Sequence, residues 1–194
     1  MTTIGFIGAG NIGSQVARQA VKHGYDVVLS NSRGPETLAD LVAELGDHAR
    51  AATTAEAAEA ADLVVVSVPY GAIEAVPAAP LSGKVIIDTT NYFPLRDGNI
   101  AELDDQRESE AGRVQRHFAD SRVVKTFNRI LAAEITSTAR DQGAADRRAL
   151  TIFGDDPRAK QLVTEFVDSI GFDVVDGGSL DDSRSVQPNS QGEA

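Results

Sequence analysis

Residues 4–17 read IGFIGAGNIGSQVA, with Gly8, Gly10 and Gly13 at the G-x-G-x-x-G spacing. The spacing alone is common. Here it follows an apolar strand-like run and opens a helix with Ile12, Val16 and Ala20 on one face, which is the setting of a dinucleotide-binding loop. Gly8 makes the tight turn, Gly10 lets backbone approach a pyrophosphate, and Gly13 lets helix and strand pack closely. The first-turn N–H groups near Asn11 and Ile12 then become free donors at the positive end of a helix dipole. The competing reading is a glycine turn without ligand.

The next strand ends in VVLSNSRGPETL, residues 27–38. In such a fold this end lies beside the adenosine ribose, where an NAD site offers a carboxylate. This chain offers Ser30, Asn31, Ser32 and Arg33 instead. A guanidinium flanked by neutral donors favours a 2′-phosphate that an acid would repel, so the expected cofactor is NADP(H). A merely solvated turn before the helix at Pro35 is the alternative.

Working outward, short β-rich runs alternate with helical stretches, which predicts an α/β Rossmann-type, doubly wound, mostly parallel sheet with helices on both faces. Further strands are expected at DLVVVSVP, KVIIDTTN, RVVKTFN, ALTIFG and FDVVD. Helices are expected after Pro35, through the Ala-rich TTAEAAEAA, and through DDPRAKQLVTEFVDSIG, with Leu162, Val163, Phe166, Val167 and Ile170 inward. Residues 95–118 read as a polar surface excursion with one helix. Residues 1–176 are expected to form the NADP-binding domain. The small C-terminal elaboration, 177–194, is expected to be loose or to sit at a dimer contact.

The 194 residues carry 18 basic and 29 acidic side chains, a net charge of -11, which argues against nucleic acid or an anionic membrane surface. Cysteine is absent, and His23, His48 and His117 are scattered, so no metal site is expected. No run is long enough to span a bilayer, and the N-terminus enters a strand at once, so a cytoplasmic protein is expected.

The loops at the carboxyl ends of the strands, Ser67 to Ile73, Asp88 to Pro94 and Lys125 to Ile130, should surround the nicotinamide. Their contents are mainly small, apolar or neutral: Pro69, Tyr70, Thr89, Thr90, Asn91, Phe127 and Asn128. Asp88 reads as a turn or cap residue and Lys125 as a core-edge or surface lysine, so neither forms an activated acid–base pair. Passing a hydride between two flat redox rings needs stacking and alignment more than a side-chain acid. No obligatory catalytic residue is therefore expected.

GFIGAGNIG, SNSRGPETL, VSVPYGAI, DTTNYFP, VVKTFNRI and IFGDD together resemble the NADPH-dependent reductases of the deazaflavin coenzyme F-420. The resemblance spans most of residues 4–188. It implies a Rossmann domain, usually homodimeric, with NADP(H) across the strand ends and the deazaflavin stacked on the nicotinamide. Ala9, Asn11 and Ile12 would hold the pyrophosphate, and Ser32 and Arg33 the 2′-phosphate. Val68, Pro69, Thr90 and Asn91 would line the nicotinamide pocket, with Phe127 and Asn128 approaching the second ring. The implied reaction is direct hydride transfer between nicotinamide C4 and deazaflavin C5. Similar family members continue the C-terminal Gln-Pro with Gly-Thr-Pro, whereas Pro188 is followed by Asn189 and Ser190. An NADPH-dependent reductase of another acceptor (a flavin, or a small imine or carbonyl compound) and a non-catalytic NADP(H)-binding domain remain the alternatives.

Overall fold

The computed structural model describes residues 2–188. Strand β1 (Thr3–Ile7) leads into helix α1 (Asn11–Lys22), then β2 (Asp26–Ser30), α2 (Ala39–Leu45), β3 (Ala49–Ala51), α3 (Thr54–Ala60) and β4 (Leu63–Val66). Strand β5 (Val85–Asp88) is followed by three short helices, α4 (Pro94–Asp97), α5 (Ala101–Asp104) and α6 (Glu110–His117). The chain closes with β6 (Arg122–Lys125), α7 (Ala132–Ser137), β7 (Ala149–Gly154), α8 (Pro157–Ser169) and β8 (Asp173–Asp176).

The sheet order is β3-β2-β1-β4-β5-β6-β7-β8. All pairings are parallel except β6 with β7, so the expected mostly parallel, doubly wound sheet is present. Period-two alternation assigns the two cores. Phe6, Val65, Ile87 and Val124 face one side with Val16, Ala20, Val163 and Phe166. Val64, Val66, Ile86 and Val123 face the other with Ile73, Val114 and Phe118. The order of connections reverses between β1 and β4, which opens a crevice at their carboxyl ends.

Local signals explain most boundaries. Thr53 and Glu56 form a reciprocal capping box at the start of α3. Asp156 accepts from Ala159 N–H at 2.8 Å, and Pro157 fills the first turn of α8.

Four expectations need correction. The edge strand β3 was not anticipated, because its Ala-Arg-Ala sequence carries no β signal. The excursion 95–118 holds three helices rather than one and buries Leu103, Ala111, Val114 and Phe118. Leu162 lies at the outer edge of the α8 stripe and is 38% exposed. Residues 177–188 are not loose: Gly177 N–H donates to Ile152 C=O at 2.8 Å, Ser109 Oγ to Leu180 C=O, and Arg184 to Gln106 C=O. Leu180 and Ser183 are buried there. The remaining tail, including Asn189 and Ser190, lies outside the described residues.

Candidate cofactor and acceptor site

The glycine loop has the geometry its spacing implies. Gly8 sits at φ +97°, and a Cβ on it would lie 2.1 Å from Ser67 C=O. Gly13 approaches so closely that its Cβ would lie 2.2 Å from Gly8 C=O. Gly10 differs: no atom lies within 4 Å of where its Cβ would be. The first α1 hydrogen bond runs from Ser14 N–H to Gly10 C=O, and no side chain caps the helix. The N–H groups of Asn11, Ile12 and Gly13 are thus left at the positive end of the helix dipole.

These elements frame a cavity of about 420 Å³ bounded by Gly8, Ala9, Gly10, Asn31, Ser32, Arg33, Val68 and Pro69. Eight of the sequence-predicted cofactor residues therefore meet at one place, and Asn11, Ile12 and Gly13 follow directly in the first turn of α1. Arg33 is the only charged residue in its wall.

At the end of β2, Ser30 is fully buried and its hydroxyl donates to Phe6 C=O at 2.8 Å. Asn31 uses both ends of its amide locally: Oδ1 accepts from Arg33 N–H at 2.9 Å, and Nδ2 donates to Thr37 Oγ1 at 2.8 Å. Asn31 thus shapes the turn, and the exposed Ser32 and Arg33 are the donors left facing outward. Arg33 forms no ion pair among the described residues.

The second group, Thr90, Asn91, Phe127 and Asn128, gathers at the ends of β5 and β6, where Asn91 Nδ2 donates to Asn128 C=O at 2.7 Å. Asn91 Oδ1 and Asn128 Nδ2 are buried without a hydrogen-bond partner. A buried orphan donor and acceptor at a strand-end crevice are what a polar ligand group would satisfy. Thr90 and Phe127 behave differently. Thr90 is 3% exposed, with its hydroxyl on Asp88 Oδ1 at 2.7 Å. Phe127 adopts φ +60° and turns its ring into the core, edge-on to Phe172 at 6.2 Å. Its 2% exposure leaves no ring face for an acceptor in this conformation.

Sequence reasoning missed the cluster beneath this group. Lys125 is fully buried, not a surface lysine; its ammonium lies 3.3 Å from Asp88, 3.7 Å from Glu110, and donates to Thr90 C=O at 2.5 Å. Asp88 does act as a cap, accepting from Thr90 N–H and Oγ1. One ammonium stands between two buried carboxylates. Burial pushes the Glu110 carboxyl up to about 7, against the pull of Lys125. Tyr70 is also removed from acid–base work: its hydroxyl donates to Glu110 C=O at 2.9 Å, and burial raises its pKa further.

The cluster carries a pH signature. A Glu110 carboxyl ionising near 7 when folded and near 4.5 when unfolded keeps its proton in the native state across that window. Native stability attributable to this group is therefore full below pH 4.5, falls as pH rises to 7, and is flat above. Glu110→Gln abolishes that slope. In urea titrations from pH 4.5 to 8, the variant should gain on the order of 3 kcal/mol relative to wild type across the window. A constant difference would contradict the assignment.

Residues 3–92 match the family described as NADP oxidoreductase, coenzyme F420-dependent. The chain is 28% identical over 204 residues to the F420-dependent NADP reductase of Methanothermobacter marburgensis, covering 93% of this chain and 85% of that protein. It is 30% identical over 187 residues to metalloreductase STEAP3 of Rattus norvegicus, covering 95% of this chain but 35% of that one. The chain thus spans about a third of the length of that relative. A crystal structure of a hypothetical protein from Sinorhizobium meliloti superposes with a TM-score of 0.83 at 29% identity, over 97% of this chain and 91% of the other. No helix among the described residues is long and apolar enough to cross a membrane.

Proposed function

We propose that this chain is an NADPH-dependent oxidoreductase that passes a hydride directly from the nicotinamide to a deazaflavin ring. The observation that carries the reading is the chemistry of the site walls. Arg33 is the lone charged group lining the cavity at the glycine loop, and Asp88, Lys125 and Tyr70 are closed into buried interactions. Such a site has no side-chain proton donor to offer a carbonyl, but it suits two stacked rings.

The residues fit the cofactor. The space beside Gly10 and the free first-turn N–H groups match a pyrophosphate, and Ser32 and Arg33 match a 2′-phosphate. Bound NADPH supplies the hydride equivalent. The protein's own part is to align and to exclude water: Val68 and Pro69 line the cavity, while the orphan Asn91 and Asn128 atoms offer polar anchors at the ends of β5 and β6. In the balanced reaction the acceptor ring takes the hydride at carbon and one proton from solvent at nitrogen, and NADP⁺ is left.

The likeness to a metalloreductase over 95% of this chain favours a second reading, in which the acceptor is other than a deazaflavin, with a flavin as the candidate to test. Anaerobic mixing of the protein, NADPH and coenzyme F-420 should bleach the visible absorbance of the deazaflavin; bleaching only with flavin would select the second reading. Arg33→Ala should weaken NADPH binding by roughly ten- to a hundred-fold, as for a charge-assisted phosphate contact, and leave NADH binding unchanged. Equal loss for both, measured by titration calorimetry, would remove Arg33 from the site.

A further inference from the structure

Asp97, the last residue of α4, belongs to the segment that reads in sequence as a polar surface excursion, yet its side chain is only 1% exposed. Its carboxylate joins two loops. Oδ1 accepts from Gly71 N–H at 3.1 Å and from Arg96 Nε at 2.9 Å, and Oδ2 accepts from Phe93 N–H at 2.9 Å and from Arg96 Nη2 at 2.8 Å. Arg96 in turn donates to Asn91 C=O at 2.6 Å and lies 5.0 Å over the Phe93 ring. Gly71 follows β4 and Phe93 follows β5, neighbouring strands whose ends pair Val66 with Asp88. A Cβ on Gly71 would sit 3.3 Å from Asp97 C=O, so the backbones meet with no side chain between them. Burial pushes the Asp97 carboxyl up, but Arg96 and the two amides outweigh it and hold it below the usual carboxylate range.

We propose that Asp97 is a positioning residue: it clasps the loop after β4 to the loop after β5 and so sets the geometry in which the nicotinamide is held. The inference rests on the hydride-site reading, in which the nicotinamide lies against both loops. Val68 and Pro69 of the first loop line the cofactor cavity, and Asn91 of the second keeps Oδ1 buried without a partner. Tyr70 and Tyr92 also pack across the two loops, with centroids 5.6 Å apart, but a ring contact tolerates sliding. A carboxylate that takes one N–H from each loop does not. The alignment matters because a misplacement of about 1 Å costs a transfer step on the order of a hundred-fold in rate. Ser32 and Arg33 follow β2, which β1 separates from β4, so the 2′-phosphate end of the cofactor should not feel the clasp.

The test reads the two ends of the cofactor separately. Binding of 2′,5′-ADP, which lacks the nicotinamide, is measured by calorimetry, and NADPH is followed by the fluorescence of its reduced nicotinamide ring. Asp97→Ala should bind 2′,5′-ADP as wild type does, while the emission of bound NADPH moves from the wild-type value towards that of free NADPH. In single turnovers with coenzyme F-420 or the flavin FMN, whichever the wild type reduces, hydride transfer should slow by about ten- to a hundred-fold. Asp97→Asn keeps an acceptor for one loop and should fall between the two, and it decides alone if the alanine variant does not fold. Equal losses for 2′,5′-ADP and NADPH, or wild-type emission and rate in a folded variant, would overturn this inference and leave the hydride-site reading standing. A wild-type protein that binds 2′,5′-ADP but reduces neither ring would overturn the hydride-site reading and the inference with it.

Discussion

Lys125→Met should destabilise the protein by about 3–5 kcal/mol, the loss expected when one partner of a buried ion pair is removed. Asp88 and Glu110 are both buried beside the ammonium, so the variant leaves two carboxyl groups with no cation. Thr90 C=O loses its donor as well. For a domain of this size that corresponds to a fall in Tm of roughly 10 °C or more. Adding Glu110→Gln should return part of the loss, because a neutral amide replaces one of the stranded acids. A melting temperature for Lys125→Met within a degree or two of wild type would mean that the ammonium does not hold this cluster. The consequence for function is positional: Asp88, Thr90 and Asn91 form the β5 end of the crevice, and Lys125 ties that end to β6.

Gly8→Ala should be nearly as severe, and Gly10→Ala should not. At Gly8 the added methyl meets Ser67 C=O, and the backbone is in the left-handed region that L side chains avoid. The conformational penalty is about 1–2 kcal/mol, and the clash adds about 1–3 kcal/mol. Gly8 N–H also holds Ser30 C=O at 3.0 Å, so relief by movement would disturb the β2 end that carries Arg33. At Gly10 the backbone is extended and the methyl enters open space, so thermal stability should be close to wild type. That space is assigned to the pyrophosphate. Gly10→Ala should therefore lose about ten-fold or more in NADPH affinity with an unchanged Tm. Thermal melts and calorimetric titrations of both variants check this. Full NADPH affinity in a folded Gly10→Ala protein would contradict the placement.

The parts legible in the sequence were those with short-range causes. Glycine spacing, the acid-free end of β2, the caps at Asp156 and Pro157 and the unbroken apolar strands all act through neighbours within a few residues. What escaped depends on partners far along the chain. Lys125 reads as a core-edge or surface lysine until Asp88, 37 residues earlier, and Glu110 close in around it. Residues 177–188 have few apolar anchors, and their order comes from backbone and hydroxyl hydrogen bonds that hydropathy does not register. Phe127 looked like a ring for stacking, but it adopts a positive φ and its ring packs into the core against Phe172. Asn31 looked like a phosphate donor, but the turn at residues 31–37 already engages its amide.

The central claim is direct hydride transfer from NADPH to a ring acceptor without a side-chain acid. The most direct test uses NADPH deuterated at C4, in separate samples for each face, mixed anaerobically with the protein and coenzyme F-420. Deuterium from one face should appear at C5 of the reduced deazaflavin, with none lost to water. Label recovered in solvent, or NADPH consumed with no label in the ring, would contradict the account.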